Sequence, residues 1–312
     1  MKTIAWELCI ALAAVVSFGA GYLLLERSST TQYRTSLAED LAKLEPGPKT
    51  DLIRHGHDLV VDTPRLIGKS AQNPALAFGG NDLTCQSCHL NAGLKPFAAP
   101  FVSTAATFPM FVDNRVITLP DRINACMRLG LNGRPLPEDS REMRALITYI
   151  DFIDEGAPKG VRLPGSGLLP MDVPRDIPNA RRGADVYTRH CISCHGQAGE
   201  GAPKLPPEVG YYVPPVWGPD SFNGGAGMGH IAYAASFIFA NMPIGADYEN
   251  PVLTVQEAWD VAAFMIAQPR PVAPANPPVV PMVIEDLPIP APPSAEPVTP
   301  GQVLLPDRTI RP

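Results

Sequence analysis

Cys85-Gln86-Ser87-Cys88-His89 and Cys191-Ile192-Ser193-Cys194-His195 repeat one pattern, C-x-x-C-H, in two separate parts of the chain. Two thiols one helical turn apart can add across the two vinyl groups of a porphyrin, and the adjacent imidazole can reach its iron from the proximal side. A lone C-x-x-C is equally a redox dithiol or half of a zinc site. Two copies, each followed directly by histidine and each standing at the same place of a repeat, point instead to two covalently attached haem c groups.

Working outward, each motif follows an expected helix, 50–62 in the first half and 179–190 in the second. Each half then closes with a helix announced by a capping box, in which an N-cap oxygen and an acid three residues later satisfy free amides. In the first half the box is Asp139-Ser140-Arg141-Glu142, ahead of Met143, Leu146, Ile147, Ile150 and Ile153 on one face; in the second it is Thr254-Val255-Gln256-Glu257, ahead of Val261, Phe264 and Ile266. The expected fold is mainly α, two class I cytochrome c-like domains in tandem at 50–155 and 179–268, as an ancient duplication would leave them. A Pro/Gly-rich linker, 156–178, joins them, and no segment alternates enough to be read as sheet.

The flanks differ from this body. Residues 1–25 contain an uncharged apolar run from Leu8 to Leu25, just long enough at about 1.5 Å per residue to cross a bilayer core. It predicts a signal anchor or transmembrane helix that holds the chain in the cytoplasmic membrane facing the periplasm; cleavage near Ser17-Phe18-Gly19 would instead leave a soluble periplasmic protein. Residues 26–49 read as a polar spacer. Of the 37 prolines, fourteen lie between Pro269 and Pro312, so 269–312 is expected to be an extended, disordered tail. A net charge of −6 and the lack of any like-charge block exclude nucleic acid as an expected partner.

A six-coordinate haem needs a further donor, commonly from a loop before the closing helix. In the second half that place holds Met242, with Met228 as competitor; a thioether favours ferrous iron. The equivalent place in the first half holds Cys126, and Met110, Met127 and Met143 are the alternatives. Four of the six cysteines belong to the motifs and Cys9 lies in the apolar run, so Cys126 has no disulfide partner to account for it in an oxidising compartment. As a thiolate it would stabilise ferric iron. Arg115, Arg122, Arg128 and Arg134 gather around it in sequence with Lys95, against Asp113 and Asp121. Such a cationic patch suits an anionic substrate, or haem propionates.

The stretches Gly79-Gly80-Asn81-Asp82-Leu83-Thr84-Cys85-Gln86-Ser87-Cys88-His89-Leu90-Asn91-Ala92-Gly93, Arg122-Ile123-Asn124-Ala125-Cys126 and Asn132-Gly133-Arg134-Pro135-Leu136-Pro137 resemble the dihaem thiosulfate dehydrogenases, relatives of the A-type cytochrome of bacterial sulfur oxidation. The resemblance implies a first, active-site haem with His89 and Cys126 as ligands, and a second, relay haem with His195 and Met242. It also implies that Arg115 and Arg122 bind thiosulfate, that two thiosulfates are joined to tetrathionate, and that an electron-acceptor cytochrome or oxidase receives the electrons. Where the family pattern places Arg-Ser after the ligand cysteine, this chain has Arg128-Leu129-Gly130, without the hydroxyl. Asn241 stands where some members carry a lysine that competes with the distal methionine. The reading from a different class is a dihaem electron carrier with no substrate chemistry, linking a dehydrogenase to a terminal oxidase.

Overall fold

The computed structural model describes residues 37–112, 114–154 and 157–278. The expected membrane or signal segment, most of the spacer after it, and the tail beyond 278 lie outside the described residues. Among the described residues no helix is long and apolar enough to cross a membrane.

The body is mainly helical and has the expected twofold plan. Pro48–Val61 (α1) precedes the first motif; Leu119–Leu129 (α2) and Arg141–Ile153 (α3) follow it. Ala180–His190 (α4) precedes the second motif, and Ile231–Asn241 (α5) and Val255–Ile266 (α6) follow. In each half the leading helix crosses the closing helix, α1 on α3 and α4 on α6. Both crossings are made at a glycine. A Cβ on Gly56 would run into the Ala145 carbonyl and Tyr149, and one on Gly183 would run into the Asp260 carbonyl and Phe264. Only a bare backbone lets the helices approach this closely. Tyr149, Met143 and Leu59 are fully buried beneath the first crossing, and Trp259 and Phe264 beneath the second.

The structure differs from the sequence reading at four places. The closing helix α3 is capped by Ser140, whose side chain accepts from the Met143 amide, and not by Asp139. Serine and aspartate serve equally as caps, so adjacent candidates cannot be ranked by residue type. Two short antiparallel hairpins were not expected: Met110–Val112 (β1) with Arg115–Ile117 (β2), and Ala202–Pro203 (β3) with Tyr211–Val213 (β4). They are too short to show alternation.

The third difference is the linker, which packs onto the first half through Phe97 N to Gly165 O and Ala99 N to Gly167 O, at 2.8 and 2.9 Å. The fourth is the start of the Pro-rich tail. It packs against both halves: Pro269 and Pro271 accept from the amides of Gly218 and Gly224 of the second, and Arg128 of the first donates to the Asn276 carbonyl at 2.9 Å.

The two halves share a polar seam. Asn81, 1% exposed, donates to both Gly130 O of the first half and Ser221 O of the second, at 3.0 and 3.2 Å. Asn132 donates to Ser221 O at 2.7 Å, Asn223 to Arg128 O at 2.9 Å, and Asn241 to Phe97 O at 3.2 Å. Side-chain amides reading backbone carbonyls fix one relative placement, since a shift would leave buried polar groups unpaired.

Candidate haem sites

The first motif begins as a single 3-10 turn, Cys85–Ser87, held by Thr84 and Ser87 in a reciprocal cap and by Thr63. The Thr63 hydroxyl accepts from the Cys85 amide at 3.0 Å and points at the Cys85 sulfur at 3.5 Å. Cys85, Cys88, Cys191 and Cys194 are all free thiols. Burial pushes Cys85 up to about 11, Cys88 up to about 12 and Cys191 up to about 11.

Both motif histidines are oriented alike. Nδ1 of His89 lies 2.5 Å from the Ala99 carbonyl oxygen, and Nδ1 of His195 lies 3.0 Å from that of Pro214. A carbonyl can only accept, so each ring carries its proton on Nδ1 and leaves Nε2 free as a metal donor. The loop that supplies the first carbonyl is wound through left-handed conformations at Asn91, Ala92, Phe97, Ala99 and Ser103. Asp154, at the end of α3, holds that loop from inside by accepting from the amides of Ser103 and Ala106. Strained backbone of this kind persists where the surroundings over-determine it, often at functional sites.

In front of His89 lies a cavity of about 290 Å3. Cys126 faces into it from α2, together with Arg122 one helical turn earlier. The expected loop position of this cysteine is thus a helix, started by a capping box of Thr118 and Asp121 with Pro120 in its first turn. Burial raises the Cys126 thiol. The Arg122 guanidinium, by charge and hydrogen bonding, with His89 beside it, more than reverses this and brings it down to about 6. These neighbours favour the thiolate form of the sulfur. Of the alternative donors, Met110 lines the cavity, whereas Met127 and Met143 are 2% and 0% exposed in the helical core.

The sequence-predicted arginines part company here. Arg122 is half-buried in the cavity wall, but Arg115 is exposed on β2 and is not among the lining residues. Arg134 stacks over Phe78 at 4.1 Å, and Arg128 is tied to the tail. Arg162 and Ser166 line the cavity instead, from the linker, with Phe222, Met228 and Tyr233 from the second half. Nothing in their local sequence marks them, because they come from segments read as a spacer and as the other domain. Met228, the competitor for the second iron, stands at the first site. Met242 directly follows α5 and is half-buried there.

The residues fit haem by a further observation. Arg270 stacks on Phe222 at 4.6 Å with Nε and Nη1 buried and without a partner among the described residues; burial pulls it down to about 10. A buried guanidinium calls for an anion, and haem carries two carboxylates.

Residues 76–158 match the family model "SoxA/TsdA, cytochrome c domain", and residues 180–267 match the model "Cytochrome c". The chain is 36% identical over 240 residues to a thiosulfate dehydrogenase of Thiomonas intermedia, covering 74% of this chain and 72% of that protein. It is 38% identical over 236 residues to one of Allochromatium vinosum, covering 74% and 82%. Among solved structures it resembles the thiosulfate dehydrogenase (TsdBA) from Marichromatium purpuratum. The TM-score is 0.67 at 35% identity, over 75% of this chain and half of that one.

Proposed function

The chain belongs to the thiosulfate dehydrogenase family, and from that premise we propose that it is an exported dihaem cytochrome c that joins two thiosulfate anions into tetrathionate. Each anion gives up one electron as the sulfur–sulfur bond forms, and no proton is needed. Haem would be held through Cys85 and Cys88 with His89 and Cys126 as candidate iron donors, and through Cys191 and Cys194 with His195 and Met242, and each group would supply a one-electron sink.

The observation that carries this reading is the placement of a half-buried arginine against the Cys126 sulfur, with His89 lining the same cavity. Arg122 brings the dianion to the sulfur-bearing wall and offsets the charge gathered there. Arg162 adds a second cation at the same cavity. Arg115, on its exposed strand, is left to draw anions from solution, a long-range role that weakens with salt. Electrons leave through the second half, where Lys95 of the first half meets Ala246 and Phe97 meets Asn241 and Tyr248, on either side of Met242. A respiratory cytochrome or oxidase outside the cytoplasmic membrane is the proposed acceptor. Export rests on the apolar run 8–25, as anchor or as cleaved signal.

The test is the Cys126→Ala variant with both haems loaded. Thiosulfate should no longer reduce haem, and the thiolate-type ferric electron paramagnetic resonance signal of the wild type should vanish while haem content is kept. A variant with unchanged spectra and undiminished thiosulfate-driven reduction would leave only an electron carrier.

A further inference from the structure

The first site is not built by the first half alone. One wall of its cavity comes from the second half, where Tyr233 occupies the first turn of α5. Its Oη is buried and has no hydrogen-bond partner among the described residues. Two buried tyrosines elsewhere do find one: Tyr149 Oη donates to Ala92 O, and Tyr187 Oη to Gly196 O, both at 2.8 Å. A buried hydroxyl without a partner is costly, so such a group marks a place where a ligand supplies the acceptor.

The surroundings say what that ligand is. The ring lies close enough to Arg122 for the guanidinium to act on its hydroxyl, and both face the cavity that holds Cys126. Burial raises the phenol and Arg122 only partly opposes it, so the hydroxyl keeps its proton and donates. Among the described residues near it, no carboxylate lines this cavity to compete for that donor.

We propose that Tyr233 donates a hydrogen bond from Oη to a sulfonate oxygen of the bound thiosulfate, so that Arg122 of the first half and Tyr233 of the second grip one anion between them. The proposal rests on the thiosulfate reading above and adds that the substrate site is complete only when the two halves are packed together.

The experiment is steady-state thiosulfate oxidation by the haem-loaded full chain, wild type against Tyr233→Phe, with spectroelectrochemical titration of both haems without substrate. Loss of one hydrogen bond to a charged group is expected to raise KM roughly 10- to 100-fold, with kcat changed less and both potentials unmoved. The double variant with Arg122→Lys should lose less than the product of the two single losses, since both side chains serve one ligand. If the wild type turns over and Tyr233→Phe keeps its KM, the tyrosine assignment is overturned. A shifted potential with unchanged KM overturns it too, by assigning the hydroxyl to a haem carboxylate. A wild type that never reduces haem on adding thiosulfate would overturn both the assignment and the reading beneath it.

Discussion

Arg122 and Cys126 stand one turn apart on α2 with Nη1 of the arginine 3.1 Å from Sγ of the cysteine. The pair is a charge-assisted contact facing a cavity that also holds His89, so one guanidinium both stabilises the thiolate and presents a cation to whatever enters.

Arg122→Gln should therefore lower kcat/KM for thiosulfate by about 10- to 100-fold, the effect of losing one hydrogen bond to a charged group. Arg122→Lys should restore part of the loss but not the fork geometry. Kinetics on haem-loaded protein decide it, and an unchanged kcat/KM would remove Arg122 from the site.

The two helix crossings predict matched structural variants. Gly183→Val drives a branched side chain into the Asp260 carbonyl and Phe264, and Gly56→Val does the same at Ala145 and Tyr149. Overpacking costs about 1–3 kcal/mol, and the β-branch gains little helix propensity in return. Melting followed at the haem of the affected half should fall by roughly 4–8 °C per kcal/mol lost.

Acid should loosen the second half first at α6. The Thr254 amide and hydroxyl, with Arg189, hold the Glu257 carboxyl below its ordinary 4.5. A depressed folded pKa gives stability that is present above the unfolded value and lost as pH falls through the folded one. Melting temperature measured from pH 6 down to pH 3 should drop below about 4.5, and Glu257→Gln should flatten that part of the drop.

The start of the tail should prove structural. A chain ending at residue 278 keeps the carbonyls of Pro269, Pro271 and Asn276, whereas one ending at residue 268 strips partners from Gly218, Gly224 and Arg128. At about 1 kcal/mol per lost hydrogen bond, the shorter chain should melt measurably lower and the longer one as the full protein does. Equal melting of the two would overturn this.

Much of the molecule was legible from residue order because its signals are local. Vinyl addition and proximal ligation need C-x-x-C-H within five residues, and Thr254 with Glu257 caps α6 within one turn, as read. Cys126 and Arg122 were legible through the family resemblance, but that they share one face of a helix was not, because Cys126 was expected in a loop. Ser140, in contrast, displaced Asp139 as a cap, a choice made by the backbone and not by residue type.

What residue order by itself determined is the plan: two matching motifs, the helices that frame them, and a cysteine–arginine face that a resemblance could identify. Tertiary structure alone decided which distant groups join that face. It left Arg115 outside the cavity wall, admitted Arg162 and Ser166 from the linker, and brought Tyr233 across from the other half. The physical reason is that periodicity encodes which side of an element is buried, while the company kept there depends on how elements pack. Here a seam of asparagines reading backbone carbonyls sets that packing, and it leaves no pattern along the chain.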